Sequence, residues 1–378
     1  MKWGSGPIWV VWMASSALFG CTAARWTAAD RIEPFRPAWW CRGPNAQTIE
    51  SSLLRRVPAV ALTRERWDTP DGDFLDIDRI PAPYGSPLLL VLPGMEGSSD
   101  SKQVTGLLGA ARRQRWAGAV LNFRSCSGEP NRLKRSYHGG ETSDLRWVIG
   151  RLILEDPNRP LFCAGFSLGG NVLLKYLGEE GEKLPVQVRA AVAVSAPFDL
   201  KAAAFRLEKG FSRVYGSRLV KSLKAKTREK LKRFPGFVDP KKLQAARTLE
   251  QFDNLVTAPV HGFRDADEYW AASSSSRFLS RIRRPTLLIN AKDDPFLPAS
   301  CLPVEAVSGN SFLTAEFPES GGHVGFLSGF WLLCPIPWAE ERAVRFLLQA
   351  LHSPGGVVVS IDEVCHQSHR PNPPIHAT

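Results

Sequence analysis

The stretch LFCAGFSLGG, residues 161–170, decides the fold of this chain because it joins an apolar strand to a Gly-x-Ser-x-Gly turn. In such a turn the serine stands between a strand and a helix, and its hydroxyl projects above the sheet edge. The pattern recurs by chance, but here a strand predicted at 161–164 runs into it and a helix predicted at 171–177 follows it. Ser167 is therefore the candidate nucleophile. The alternative is a glycine-rich turn with an idle serine.

Strands and helices alternate on both sides of this turn. An Asp71-Gly72 turn predicts a hairpin of strands at 63–67 and 74–80. Apolar strands are predicted at 88–92, 119–123, 161–164, 190–194, 286–290 and 313–317, and helices at 104–114, 145–154, 171–177 and 339–351. This alternation predicts an α/β fold, with a mostly parallel central sheet and helices on both faces. The segment at about 199–280 breaks the rhythm, and we expect it to be a helical cap insert over the sheet's carboxyl edge.

A serine hydroxyl needs a base to become nucleophilic, and the base needs a carboxylate that orients it. Both residue types follow later predicted strands. Asp294 comes after the strand at 286–290, and His323 lies in a glycine-rich loop after the strand at 313–317. The order Ser167, Asp294, His323 is typical of the α/β-hydrolase fold. We therefore predict a catalytic triad of these three residues.

The acid of the triad has a neighbour that competes for the role. Asp293 and Asp294 are adjacent, and Asp294 is preferred because it stands four residues before Pro298, the usual spacing after this strand. Asp293 would then point elsewhere or cap the next turn. His138 and His261 are rival candidates for the base, but neither follows a late strand. They are interpreted as structural.

A tetrahedral oxyanion needs two preorganised N–H donors. One is predicted to be the backbone N–H of Leu168, the residue after the nucleophile. The other is expected from the loop at 93–98, which follows the strand at 88–92, and its position favours the N–H of Met95. The alternative for this loop is an ordinary glycine-rich turn.

The net charge of +11 resides in one segment. Residues 201–242 hold 14 Lys and Arg against 3 Asp and Glu, whereas the rest of the chain has 34 of each sign. This distribution excludes a uniformly basic nucleic-acid binder, and no nucleic-acid partner is expected. A basic helix is predicted at 221–233. It is interpreted as a solvated cap face or, alternatively, as a surface that attracts an anionic membrane or an acidic substrate.

The cysteines and the motifs argue against a cofactor. The seven cysteines are odd in number and none is at Cys-x-x-Cys spacing, so neither a disulfide framework nor a zinc ribbon is predicted. No nucleotide-binding loop or metal-ligand cluster is visible in the sequence. We therefore expect no cofactor and no metal.

The two ends of the chain differ from the region between them. Residues 8–24 are uncharged and largely apolar, which fits a signal peptide, a short anchor or a start codon placed too far upstream. Residues 353–378 mix Gly, Pro, His and Ser and are predicted to be a flexible tail. The expected organisation is thus an extension at 1–30, a hydrolase domain at 31–352 and a tail at 353–378.

Several motifs resemble the signature of the YheT-like α/β-hydrolases. They lie at 35–37, 47–48, 122–132, 137–142, 165–170, 208–215, 258–263, 291–296 and 321–326. The resemblance spans residues 33–350 and implies a serine hydrolase that uses the same three residues. Two positions depart from the family: Pro93 stands where His is common, and Ser125 where Gly is usual.

The resemblance also implies the substrate class. Family members are esterases, lipases or medium-chain acyl-ester synthases that act on lipid-like esters. We therefore expect a carboxylester hydrolase for a small-molecule ester; the alternatives are an acyltransferase that makes esters and a non-catalytic binding protein with this fold. Bacterial members of the family are cytoplasmic, which is the localisation expected here. The alternative is membrane association through the N-terminal segment.

Overall fold

An eight-stranded sheet forms the centre of the computed structural model, which describes residues 33–331 and 334–352. Its strands are β1 (Thr63–Asp68), β2 (Phe74–Ile80), β3 (Leu88–Leu92), β4 (Ala117–Asn122), β5 (Leu161–Phe166), β6 (Val188–Val194), β7 (Thr286–Ile289) and β8 (Leu313–Glu316). They lie in the order β1-β2-β4-β3-β5-β6-β7-β8. β2 pairs antiparallel with β1 and β4, and β4 to β8 pair parallel through β3. The mostly parallel sheet predicted from the sequence is confirmed.

Helices cover both faces of the sheet. They are α1 (Pro44–Ile49), α2 (Lys102–Arg113), α3 (Ser143–Glu155), α4 (Leu168–Glu180), α5 (Leu200–Arg206), α6 (Ser212–Arg233), α7 (Pro240–Ala245), α8 (Leu249–Phe252), α9 (Ala258–His261), α10 (Ala266–Ser273), α11 (Val304–Ser308) and α12 (Trp338–His352). Along β3, Leu89 and Val91 pack on the α2 and α12 side, whereas Leu88, Leu90 and Leu92 pack on the α3 and α4 side. Burial of each such leucine contributes about 1.5–3 kcal/mol.

The strand order places a crevice at the carboxyl ends of β3 and β5. The chain runs from β3 to β4 on one side and then crosses back to β5 on the other side of β3. Open α/β sheets bind ligands at such a reversal, outside the carboxyl ends of the strands. The loop after β3 holds Met95, and the turn after β5 holds Ser167. The topology therefore brings the two predicted parts of one site together.

Some elements differ from the sequence-based prediction. The helix predicted at 171–177 begins at Leu168, because the turn at Ser167 passes directly from strand to helix. Several short elements were missed: α1 with the π-helical turn Glu50–Leu54 that follows it, α11, and the antiparallel pair β9 (Leu327–Ser328) and β10 (Ile336–Pro337). These elements are too short for a clear hydrophobic period, and long-range contacts hold them.

Six helices, α5 to α10, lie between β6 and β7, where the cap insert was expected. No helix in the described ranges 33–331 and 334–352 is long and apolar enough to cross a bilayer. The predicted extension at 1–30 and the predicted tail at 353–378 fall outside the described residues.

Candidate active site

The turn after β5 holds Ser167 in a strained backbone conformation. Its φ is +50° and its ψ is −122°, a region that non-glycine residues rarely occupy. The Ser167 N–H donates to the Val194 carbonyl at 2.8 Å, and its carbonyl accepts from the Asn171 N–H at 3.1 Å. These bonds tie the turn to β6 and to the first turn of α4. The backbone is thus fixed while the hydroxyl remains directed at the cleft.

The two glycines of the motif are required because there is no room for a side chain at either position. A Cβ at Gly169 would lie 2.3 Å from the Pro93 carbonyl oxygen, and a Cβ at Gly165 would lie 2.5 Å from the Gly169 carbonyl oxygen. Both distances are far below van der Waals contact. The close approach brings the loop after β3 against the turn after β5, with a Cβ position at Gly94 only 3.2 Å from the Ser167 Cβ.

The three residues of the predicted triad lie in one hydrogen-bonded chain. His323 Nε2 is 2.9 Å from Ser167 Oγ, and His323 Nδ1 is 2.9 Å from Asp294 Oδ2 and 3.1 Å from Oδ1. His323 and Asp294 are almost fully buried, whereas Ser167 is partly accessible. A carboxylate on Nδ1 keeps that nitrogen protonated and leaves Nε2 as an acceptor for the serine proton.

The neighbouring acid, Asp293, is not part of this series of hydrogen bonds. Asp293 Oδ1 accepts a hydrogen bond from the Gly322 N–H at 2.8 Å, and it therefore supports the backbone of the loop that carries His323. Asp294 Oδ1 also accepts the Phe296 N–H at 2.7 Å, which fixes its carboxylate. Burial, followed by repulsion from Asp294, raises the pKa of Asp293. The structure thus gives the two acids different partners.

Sequence reasoning missed the residues that hold His323 in place. The Phe296 ring stacks on the imidazole with a centroid distance of 3.8 Å and an interplanar angle of 1°. The His323 N–H donates to Thr48 Oγ1 at 2.9 Å. The next residue is held as well, since the Val324 N–H donates to Ser195 Oγ at 2.9 Å. Thr48 lies on α1, so this helix supports a loop 275 residues away in sequence.

The two predicted oxyanion donors flank the serine. Met95 follows the close contact at Gly94, and Leu168 is the first residue of α4, where helix N–H groups lack an intrahelical acceptor. Within the described residues, neither N–H donates to another protein group. Both residues line the cleft that contains Ser167. The geometry leaves both N–H groups available to a substrate oxygen.

An ion pair holds the loop at 93–98 against the cap. Glu96, next to Met95, has a φ of +62°. Its carboxylate accepts from Lys226 Nζ at 2.9 Å, from the Tyr137 hydroxyl at 2.7 Å and from the Ser222 hydroxyl. Burial opposes the charge of Lys226, but the acidic groups around it outweigh burial and raise its pKa. Helix α6 is thereby linked to the loop that carries Met95.

The basic helix is only in part the solvated face that was expected. Lys230 is buried and its Nζ donates to three carbonyl oxygens at residues 133–135, while Lys224 Nζ donates to the carbonyls of Gln244 and Ala246. Burial lowers the pKa of Lys230 to about 8. The expectation of a solvated face is therefore wrong for Lys224, Lys226 and Lys230. The ammonium groups of Lys226 and Lys230 bind polar groups of the hydrolase core outside the cap, whereas that of Lys224 binds carbonyl groups within the cap.

A largely apolar cleft of about 530 Å3 opens in front of Ser167. Its buried wall comes mainly from the cap, with Leu200, Ala203 and Leu207 on and after α5 and with Trp270 on α10. Ser167, His323 and the two predicted N–H donors, Met95 and Leu168, line the same cleft. Such a shape suits a substrate with one apolar arm and one polar reacting group.

A second cluster of ligand-type side chains lies apart from the triad. One ligand atom each of His138, Glu141 and His261 lies within 4.8 Å of the others, so the cluster has the composition of a metal site. Two of its three groups, however, already have hydrogen-bond or ion-pair partners. Arg135 Nη2 lies 2.6 Å from Glu141 Oε2, and the Gly140 N–H donates to His138 Nδ1 at 3.1 Å.

The bond from Gly140 leaves the His138 proton on Nε2, the nitrogen that faces Glu141. A metal ion would have to displace that proton and compete with Arg135. Burial lowers the pKa of His138 to about 4 and that of His261 to about 3, so both rings are neutral at pH 7. These contacts support a structural interpretation of the two histidines.

Comparison with known proteins agrees with this architecture. The alpha/beta hydrolase fold family matches residues 87–329. The chain is 42% identical over 312 residues to "Putative esterase YheT" of Escherichia coli strain K12, covering 81% of this chain and 91% of that protein. It is 31% identical to a monoacylglycerol lipase of Saccharomyces cerevisiae, covering 80% of this chain and 66% of that one. It is 28% identical to the mouse phospholipase ABHD3, covering 79% and 74%.

Among solved structures, the ferulic acid complex of Est1E from Butyrivibrio proteoclasticus superposes with a TM-score of 0.50. The match covers 76% of this chain and all of Est1E, at 12% sequence identity. At this identity the similarity concerns the fold alone.

Proposed function

Because the chain belongs to the YheT-like group of the α/β-hydrolase fold family and is an ester hydrolase, we propose that it cleaves carboxylic esters with a Ser167–His323–Asp294 triad. The observation that carries the proposal is the hydrogen-bonded chain from Ser167 Oγ through the imidazole to Asp294, beside a largely apolar cleft. The names of the relatives support ester bonds as the substrate class.

In the first half of the reaction, Ser167 Oγ attacks the ester carbonyl carbon while His323 Nε2 takes the hydroxyl proton. Asp294 stabilises the imidazolium that forms. The carbonyl oxygen becomes an oxyanion, for which we assign the N–H groups of Met95 and Leu168 as donors. Collapse of the tetrahedral intermediate breaks the bond to the alcohol oxygen. The imidazolium protonates that oxygen, the alcohol leaves, and an acyl-enzyme remains.

In the second half, water attacks the acyl-enzyme and His323 takes its proton. A second tetrahedral intermediate collapses, the proton returns to Ser167 Oγ, and the carboxylic acid is released. An alcohol in place of water would give ester synthesis by the same steps. Hydrolysis and acyl transfer therefore share all the chemistry assigned here, and they differ only in the acceptor.

The cleft supports a short or medium acyl chain, or a lipid-like ester, as the substrate. Its buried wall of leucine and alanine favours an alkyl arm, because each CH2 removed from water contributes about 0.8 kcal/mol. Arg218 is exposed where it borders the cleft, and it offers a charge to a polar group at the outer end of the substrate. The combination suits an ester with one apolar and one polar end.

A fluorophosphonate probe and p-nitrophenyl esters of graded chain length test the proposal together. We expect the folded protein, but not heat-unfolded protein, to be labelled at Ser167, because only an activated serine reacts. We expect measurable hydrolysis with a maximum at short or medium acyl chains. Analysis of products with added alcohol separates hydrolysis from acyl transfer. An unlabelled, inactive folded protein would favour the non-catalytic binding protein instead.

Replacement of Lys226 by Met is expected to lower kcat for a p-nitrophenyl ester about tenfold with little change in KM. The ammonium group holds Glu96, and a looser loop would misplace the Met95 N–H that binds the oxyanion. Lys226→Arg should restore most of the loss, since a guanidinium can also pair with the carboxylate. The control is Lys221→Met, an exposed lysine on the same helix. Equal kcat in the Lys226 and Lys221 variants would refute the link.

A further inference from the structure

Exposed large hydrophobic side chains concentrate in three segments of the chain, the first of which lines the cleft through Leu53. Twelve such side chains are exposed in the described part of the chain, and eight of them lie within three segments, at 39–54, 211–214 and 330–336. Within these three segments the most exposed are Trp331 at 71% and Phe330 at 68%. Isolated exposed hydrophobic residues are normal, but a concentration of this kind marks an interaction surface.

The three segments contact one another. The Tyr215 hydroxyl on α6 donates to Asn45 Oδ1 on α1 at 3.0 Å, and the Phe211 ring packs on Tyr215. On the other side, Trp39 Nε1 donates to the Phe330 carbonyl at 3.0 Å, and their rings lie 6.2 Å apart. We call the described residues of 36–56, 209–221 and 327–337 the mouth surface.

The mouth surface borders the entrance to the active site. Of the side chains that line the cleft, those of Leu53, Asp100 and Arg218 are exposed and thus mark its opening. Leu53 is followed by Leu54, which is 63% exposed. On α6 and its first turn, Phe211, Val214 and Arg218 follow one another at three- and four-residue spacing. They therefore lie on one side of the helix.

The charge of the mouth surface is positive. Seven Lys and Arg side chains of its three segments are exposed, three at 36–56 and four at 209–221. None of the Asp or Glu residues described within these segments is exposed, although Asp100 stands nearby at the cleft opening. Aromatic and aliphatic side chains interspersed with basic ones are the composition that lies in the interface of an anionic bilayer.

We propose that the mouth surface docks on an anionic lipid bilayer, so that ester substrates enter the cleft from the bilayer. The delivery of substrate rests on the function proposed above, whereas docking itself requires no catalysis. Phe211, Val214, Trp39 and Phe330 enter the acyl boundary, and the basic side chains contact the headgroups. The active site then opens toward the lipid.

The test uses the full chain with Ser167→Ala, so that binding is measured without turnover. Flotation with phosphatidylcholine vesicles is compared with flotation in the presence of added phosphatidylglycerol. We expect binding only with the anionic lipid, falling steeply as salt rises. Phe211→Ser with Val214→Ser should weaken binding about tenfold or more. The matched control is Tyr84→Ser with Leu154→Ser, two exposed hydrophobic residues outside the mouth surface.

A second pair of variants tests the charge. Lys209→Gln with Arg213→Gln should weaken anionic binding and flatten its salt dependence. In chains that keep Ser167, hydrolysis of a soluble short-chain ester should stay within about twofold for every variant, which shows that each is folded. Failure of ester hydrolysis would refute the proposed function and leave the binding result intact.

Three outcomes would overturn docking. One is equal binding to neutral and anionic vesicles. Another is unchanged binding after Phe211→Ser with Val214→Ser. The third is a dimer in solution that dissociates when Phe211→Ser and Val214→Ser are introduced together, because the mouth surface would then join two copies of the chain.

Discussion

Ser167→Ala is expected to lower kcat/KM for p-nitrophenyl butyrate by about 10⁴-fold or more, leaving only the residual rate acceleration that substrate binding and the oxyanion donors supply. In the proposed mechanism this hydroxyl forms the acyl-enzyme, and no other hydroxyl in the described residues forms a hydrogen bond with His323 Nε2. KM is expected to change little, because the apolar wall of the cleft is untouched. The measurement is steady-state kinetics combined with fluorophosphonate labelling, which should disappear.

His323→Ala should give a loss of similar size, and the double variant should lose little more. The serine without the base, or the base without the serine, cannot complete the proton transfer, so the two effects are not additive. Ser217→Ala, an exposed serine on α6, serves as the matched control and should retain full activity. Retention of more than a few per cent of activity in Ser167→Ala would refute the nucleophile assignment.

Much of the fold was predictable because its signals are local. All five residues of β3 and all six of β5 are buried, and each strand appears in the sequence as a continuous apolar run. The hairpin of β1 and β2 follows from Asp71-Gly72. The order of the strands, by contrast, depends on crossover connections and has no local signal. The short elements α1, β9 and β10 were missed for the same reason.

The grouping of the three proposed triad residues could be predicted because each follows a strand that ends at the same edge of the sheet. Ser167 follows β5, Asp294 follows β7 and His323 follows β8, so the parallel topology brings them together. What the sequence left open was the choice between adjacent acids. That choice depends on side-chain direction. In the structure Asp294 is hydrogen-bonded to the imidazole of His323, and Asp293 accepts a hydrogen bond from the Gly322 N–H.

The supporting residues were hidden because their partners lie far away in the chain. Thr48 contacts a residue 275 positions away, and Lys226 contacts Glu96 across 130 positions. The sequence did contain one signal that some lysines of α6 are buried. Lys226 and Lys230 continue the helical stripe that Leu219 and Leu223 begin, so they lie on the inner side of α6. A basic segment need not be solvated when its helical period points some of its lysines inward.

Asp294→Asn is expected to lower kcat/KM by about 10³- to 10⁴-fold, while Asp293→Asn should cost less than about tenfold. An asparagine at 294 can donate its amide N–H to His323 Nδ1. That bond selects the tautomer with the proton on Nε2, which then cannot accept the proton of Ser167. An asparagine at 293 keeps an oxygen for the Gly322 N–H, so the histidine loop retains its support.

The two acids form a matched pair for this test, because the substitutions remove the same charge one residue apart in the same loop. In kinetics with a p-nitrophenyl ester from pH 6 to pH 9, kcat/KM of Asp294→Asn should be low at every pH. The kcat/KM of Asp293→Asn should follow the pH profile of the parent protein. A large loss in Asp293→Asn with near-parental activity in Asp294→Asn would move the acid by one position. Fluorophosphonate labelling supports the distinction, since Ser167 should react slowly only where the imidazole holds the wrong tautomer.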